Sequence, residues 1–139
     1  FDPFRNAVAG KKVAVIGHFP FAPKTLNQAA DFYMLERSLN EGDYPDSAAE
    51  YILPECDYVF ITGSAFVNKT APRLLELSRE SFNVVLGPST PLAPVLLEHY
   101  GVSQVTGMVP SNPAGMFEGL EKGDSLDMFN FGHRVTLGR

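Results

Sequence analysis

Twelve residues in this sequence have side chains or backbones suited to chemistry, and they fall in five short stretches. His18, in Val15-Ile16-Gly17-His18-Phe19-Pro20, carries an imidazole, which can take up or give a proton or offer a nitrogen lone pair. It suits a general base or a metal ligand, with a ring packed at a strand end as the alternative. Glu36 lies nineteen residues beyond Gly17. A carboxylate there can handle a proton or accept hydrogen bonds from the two hydroxyls of a ribose, although pairing with Arg37 explains it too. Asp43, in Gly42-Asp43-Tyr44-Pro45, has the chemistry for acid or metal work in a sequence that also reads as an ordinary turn. Thr62, Ser64, Asn68 and Thr70 set four neutral hydrogen-bonding side chains around Gly63. That composition suits an anionic or oxygen-rich ligand, while Asn68 or Thr70 could simply cap a helix. In Gly87-Pro88-Ser89-Thr90-Pro91, Gly87 relaxes the backbone, and Ser89 and Thr90 present hydroxyls for a ligand or for capping.

Several chemistries are disfavoured by what surrounds these residues. The loop at Gly17 lacks Gly-x-Gly-x-x-Gly, so the standard fingerprint of a nicotinamide or flavin site is missing and the cofactor is left open. The pair Gly10-Lys11 is followed by Lys12 and precedes the first strand, which is not a P-loop. Ser64 and Ser89 lack the Gly-x-Ser-x-Gly spacing of a nucleophile elbow. His18, His99 and His133 are isolated from one another, so no protein metal site is expected. Eleven basic against sixteen acidic residues give a net charge of −5, a poor field for holding a nucleic acid. Cys56 is the single cysteine and cannot form an internal disulfide, which fits a cytoplasmic setting. No apolar run reaches the roughly 18 residues of a membrane span.

The elements that must position these loops are readable as alternating apolar runs and amphipathic stretches, the pattern of βα units. Strands are predicted at Val13–Ile16, Phe32–Leu35, Tyr58–Ile61, Val84–Leu86 and Val102–Val105, with a further edge strand at Arg134–Leu137. Helices are predicted over 46–53, 72–78 and 91–100, with a short one at 113–120. The stretch 22–30 is too short and too rich in Pro to be assigned. The fold class is therefore α/β: a Rossmann-like three-layer α/β/α arrangement around a mostly parallel sheet of five to six strands. Residues 12–139 form that domain, and residues 1–11 read as a linker or the remnant of an upstream domain. In such a sheet, ligands bind beyond the carboxyl ends of the strands, where all five stretches fall. Met116, Phe117, Met128, Phe129 and Phe131 suit a homodimer or domain contact as well as core packing.

At these loops the sequence resembles a prokaryotic domain family of unknown function labelled for heavy-metal chelation. The resemblance rests on Val15-Ile16-Gly17-His18-Phe19-Pro20, Leu35-Glu36-Arg37 with Gly42-Asp43-Tyr44-Pro45, Ile61 to Thr70, and Leu86-Gly87-Pro88-Ser89-Thr90-Pro91. It covers roughly residues 10 to 110. It implies a Rossmann-like domain with partial likeness to methyltransferases, preceded in longer members by a smaller domain like the N-terminal domain of enolases. That N-terminal domain would share the cleft and is expected to be a missing partner of this domain. The resemblance also implies a ligand among metal chelates, siderophore-like compounds or pterin and flavin-type molecules.

Three functional readings follow. In the first, the chain is part of an enzyme that condenses, hydrolyses or otherwise processes such a compound, with His18 or Glu36 as catalytic groups. Gly17, Asp43, Thr62, Gly63, Ser64, Asn68, Thr70, Gly87, Ser89 and Thr90 would then form the ligand site. In the second, the protein binds or delivers a metal chelate without catalysis. In the third, it is a structural or interaction domain whose polar loops only cap helices. The expected partner is a small anionic or oxygen-rich ligand, with neither nucleic acid nor membrane involved.

Overall fold

The computed structural model describes residues 1–123 and 130–138. Seven strands form one sheet: β1 (Lys12–Ile16), β2 (Asp31–Glu36), β3 (Tyr44–Pro45), β4 (Tyr58–Thr62), β5 (Phe82–Leu86), β6 (Gln104–Pro110) and β7 (Gly132–Gly138). Their spatial order is β3-β2-β1-β4-β5-β6-β7. All neighbouring pairs are parallel except β6 with β7. The expected Rossmann-like class therefore holds, with seven strands in place of five to six. The additional strand is β3, whose two residues pair Leu35 with Tyr44 and Glu36 with Pro45. Two residues are too few to leave an apolar run in the sequence. β7 begins two residues earlier than predicted because Gly132 and His133 pair with Pro110 and Val109 despite carrying no apolar signal.

The strands are apolar on both faces because both are covered. Ala14, Ile16, Leu35, Val59, Ile61, Val85 and Val105 point to one side, where they meet Ala49, Leu53, Leu74, Leu75 and Leu96 from the helical connections. Val13, Val15, Met34, Phe60 and Val84 point to the other, against Val8, Ala22 and Leu26. The alternation of Val13 and Val15 with Ala14 and Ile16 follows directly from the two-residue repeat of a strand. Residues 1–11 lie on this second face. Val8 is fully buried there, and Phe1 and Phe4 stack edge-on against Phe60 at 5.2 and 5.1 Å. Burying a valine of this kind contributes about 1.5–3 kcal/mol.

The helices are shorter than predicted over 46–53 and 91–100, but not over 72–78 or 113–120. They are α1 (Ala22–Thr25), α2 (Ala49–Ile52), α3 (Ser64–Val67), α4 (Ala71–Leu77), α5 (Pro94–His99) and α6 (Pro113–Glu121). The predicted helix over 46–53 is a turn of 3-10 helix, then α2, then another 3-10 turn at Leu53–Glu55, and Asp46 makes no capping bond. Pro54, lacking an N–H, prevents α2 from continuing regularly. The helix predicted over 91–100 starts only at Pro94, with Ala93 extended before it as a residue preceding proline tends to be. One helical turn does form at 22–25. In α6, Asn112 caps by accepting from the Gly115 N–H. Buried Asn83 stitches the layers together: its Nδ2 donates to Ser78 O, and its Oδ1 accepts from the Ser103 N–H at 2.9 Å.

Candidate functional site

The strand order reverses direction between β1 and β4, so the loops leaving these strands diverge and open a crevice. A cleft of about 560 Å³ occupies that place. Its walls come from the loop after β1 (Gly17, His18, Phe19), the end of β2 (Glu36, Arg37), the turn at Asp46 and Ser47, and the β4–α4 segment. Of the twelve residues singled out in the sequence, seven line it: Gly17, His18, Glu36, Thr62, Ser64, Asn68 and Thr70.

Gly17 is the floor between the two diverging strands. Its φ is +108°, and a Cβ there would stand 3.1 Å from Thr62 Cβ and 3.2 Å from the Phe19 ring. A larger residue would be strained and would push the β1 and β4 loops apart. The Gly17 N–H donates to Leu35 O and the His18 N–H to Glu36 Oε2, so neither is turned toward a ligand. Glu36 uses its second oxygen to accept from the Arg37 N–H. It thereby fastens the end of β2 to the loop after β1. The Arg37 side chain pairs with Asp46 at 3.1 Å instead of with Glu36.

His18 turns Nδ1 toward Asp43, with 3.0 Å to Oδ2 and 3.2 Å to Oδ1. The Asp43 side chain is out of contact with solvent, whereas the ring of His18 remains 29% exposed. Burial pushes the Asp43 carboxyl up. Hydrogen bonds from the Asn40 N–H, from His18 and from the Asn40 side chain outweigh it and hold the carboxyl below its ordinary value. Asp43 therefore reaches the cleft only through His18.

The opposite wall is rich in donors. Thr62 Oγ1 and Ser64 Oγ are 2.9 Å apart; one hydroxyl donates to the other and leaves one O–H for a ligand. Asn68 Oδ1 accepts from both the N–H and the hydroxyl of Thr70, at 3.1 and 2.6 Å, and the two N–H donors of its amide have no partner among the described residues. Thus the capping expected of Asn68 or Thr70 takes the form of a local turn, while α4 has no side-chain cap. Between them sits Lys69, with φ +67°, the one non-glycine residue of positive φ among the described residues. It makes no ion pair among the described residues.

Charged residues not anticipated from the sequence complete the rim. Arg73, on the first turn of α4, holds Glu50 through two bonds of 2.8 and 2.6 Å and Glu76 through one of 2.7 Å. Its guanidinium keeps the Glu50 carboxyl below its ordinary value. The Asn-x-Thr turn immediately before α4 is the signal that could have placed Arg73 beside the site. Arg37 and Arg73 are thus already paired, which leaves Lys69 as the free cation of the cleft among the described residues.

Five of the twelve do not line this cleft. Asp43 lies behind His18. Gly63 lies under Thr90: its N–H extends the ladder to Leu86 O, and a Cβ would come within 2.5 Å of Thr90 N. Thr90 is buried with its Oγ1 unpartnered, and neither Ser89 nor Thr90 caps α5. Gly87 lines a separate hollow of about 380 Å³ on the opposite face, between Phe1, Phe4, Phe60 and Arg134. Of the residues suggested for an apolar contact, Phe117 is 68% exposed, whereas Met128 and Phe129 lie outside the described residues.

Residues 1–137 match the DUF364 family, described as Putative heavy-metal chelation. The chain belongs to that family. A crystal structure of a DUF364 protein of unknown function from Desulfitobacterium hafniense is 45% identical, with a TM-score of 0.90, over 100% of this chain and 57% of its own. Another, from Pyrococcus horikoshii, is 24% identical and shares the fold, with a TM-score of 0.86 over 94% of this chain and 55% of its own. An uncharacterized protein of Methanocaldococcus jannaschii is 29% identical over 101 residues, which is 68% of this chain and 39% of that protein. The chain thus spans well under two-thirds of the length of each of these DUF364 members or relatives.

Proposed function

We propose that the cleft at the β1–β4 switch point binds a small, oxygen-rich anionic molecule of the metal-chelate, siderophore-like or pterin and flavin type. The protein then holds that compound or takes part in its chemical processing. The observation that carries this reading is the placement of hydrogen-bonding groups on two facing walls of a partly apolar cleft. Thr62 with Ser64, the Asn68 amide and Lys69 supply donors on one side, and His18 faces them from the other. Such a set matches the carboxylate, hydroxamate or phenolate oxygens of a chelator. Among the described residues, no three His, Cys, Asp or Glu side chains are grouped closely enough to hold a metal ion. This favours a metal that arrives inside its chelator over a bare ion. In the catalytic version, His18 moves the proton and Glu36 holds the His18 backbone in place. The hollow beside Gly87 lies on the other face of the sheet and is not part of this reading.

Calorimetry with nickel(II) alone, citrate alone and ferric citrate tests the proposal. Saturable binding of ferric citrate, weakened by Thr62→Val together with Ser64→Ala, is the expected result. Tight binding of nickel(II) alone, or chelate binding indifferent to those substitutions, contradicts it.

A further inference from the structure

We infer that Asp43 is a positioning residue which fixes His18 as its Nδ1–H tautomer and leaves the Nε2 lone pair as the acceptor facing the cleft. An aspartate in a plain turn would spend its carboxylate on the local backbone. Asp43 does accept from the Asn40 N–H at 3.1 Å, but both of its oxygens also lie within 3.2 Å of Nδ1, on a residue 25 positions away. An ionised carboxylate only accepts hydrogen bonds, so the proton between the two groups must reside on Nδ1. The neutral ring then carries its lone pair on Nε2, at the edge turned away from Asp43. Two further contacts hold this arrangement. Glu36 fixes the backbone N–H of His18 at 3.0 Å, and pairing of Tyr44 with Leu35 in β3 anchors the residue next to Asp43. Neither would be needed for a histidine that merely fills space.

The chemical consequence is a base with a defined direction. A ligand O–H or N–H transfers its proton to Nε2, the resulting imidazolium is balanced by the Asp43 carboxylate, and the same proton returns to the ligand or product when the step reverses. The role of Nε2 rests on reading the cleft as the ligand site, but the tautomer can be measured without any ligand. Long-range ¹⁵N–¹H spectra of histidine-labelled protein, recorded at alkaline pH, separate the two nitrogens. Replacing the exposed His99 and His133 by Gln leaves His18 as the single signal. Expected is a protonated, pyrrole-type Nδ1 and a bare, pyridine-type Nε2, with loss of that single pattern in Asp43→Ala. A wild-type ring protonated on Nε2 overturns the inference, as does an unchanged pattern in folded Asp43→Ala. If Asp43→Ala does not fold, the wild-type spectrum alone decides. An Nδ1–H ring in a protein that binds no chelate would sink the proposed ligand class and leave the positioning role intact; chelate binding beside an Nε2–H ring would do the reverse.

Discussion

At the scale of single residues, the site depends on which polar groups are spent and which are left over. Glu36 shows the distinction. Its place after β2 suggests a carboxylate offered to a ligand, yet both oxygens accept backbone N–H groups. Asp43 is the opposite case, a residue readable as turn material whose carboxylate organises the ring of His18. Its carboxyl is held below the ordinary value in the folded chain. Stabilisation from its ionised form is therefore present above the unfolded value, about pH 4, and is lost as pH falls through the folded one. Urea unfolding of the wild type and Asp43→Asn is expected to show a clear difference at pH 7 that narrows below about pH 4. A difference that stays constant across this range would remove the charge from the explanation. None of this pairing was legible beforehand, since 25 residues of sequence separate His18 from Asp43 and no local pattern links them.

At the scale of elements, legibility followed the length and uniformity of the apolar runs. The cores of β1, β4 and β5 were found to within a residue or two because Val13–Ile16, Tyr58–Ile61 and Val84–Leu86 are covered on both faces. β3 was missed, and with it the anchor for Asp43. The segment over 46–53 reads as one helix but forms a 3-10 turn, one α-helical turn and the start of a second 3-10 turn, a distinction that apolar spacing does not carry. The α3–α4 turn was recognised by composition, but the strain in it was not. Lys69 adopts a conformation that costs a side-chain-bearing residue about 1–2 kcal/mol. Gly would relieve that cost while losing about 0.5–1 kcal/mol through its freer unfolded chain. Denaturant unfolding is therefore expected to find Lys69→Gly within about 1 kcal/mol of the wild type and at least as stable as Lys69→Ala. An alanine variant clearly more stable than the glycine variant would contradict the assigned turn geometry. Under the proposed function, Lys69, at the cleft and without an ion pair among the described residues, offers its charge to the ligand.

At the scale of the whole molecule, the sheet separates two hollows. One face carries the cleft at the topological switch, and the other carries an aromatic arc built by Phe1, Phe4, Phe19 and Phe60. Residues 1–11 belong physically to this second face, since Val8 sits in its core. No helix among the described residues is long and apolar enough to cross a membrane. The net charge of −5 gives no overall attraction for anions, so the proposed binding of an anionic ligand rests on the local donors and on Lys69. The sequence brought seven of its twelve candidates to one place because the carboxyl ends of parallel strands share an edge. It misplaced Gly87 because the loop after β5 passes to the other face of the sheet. Under the proposed function, chelate oxygens bind in the cleft at the switch point. Backbone ¹H–¹⁵N shift mapping with diamagnetic gallium(III) citrate tests it most directly. Saturable changes centred on His18, Thr62, Ser64, Asn68 and Lys69 are predicted; changes confined to the Gly87 and Arg134 side of the sheet, or none at all, would contradict it.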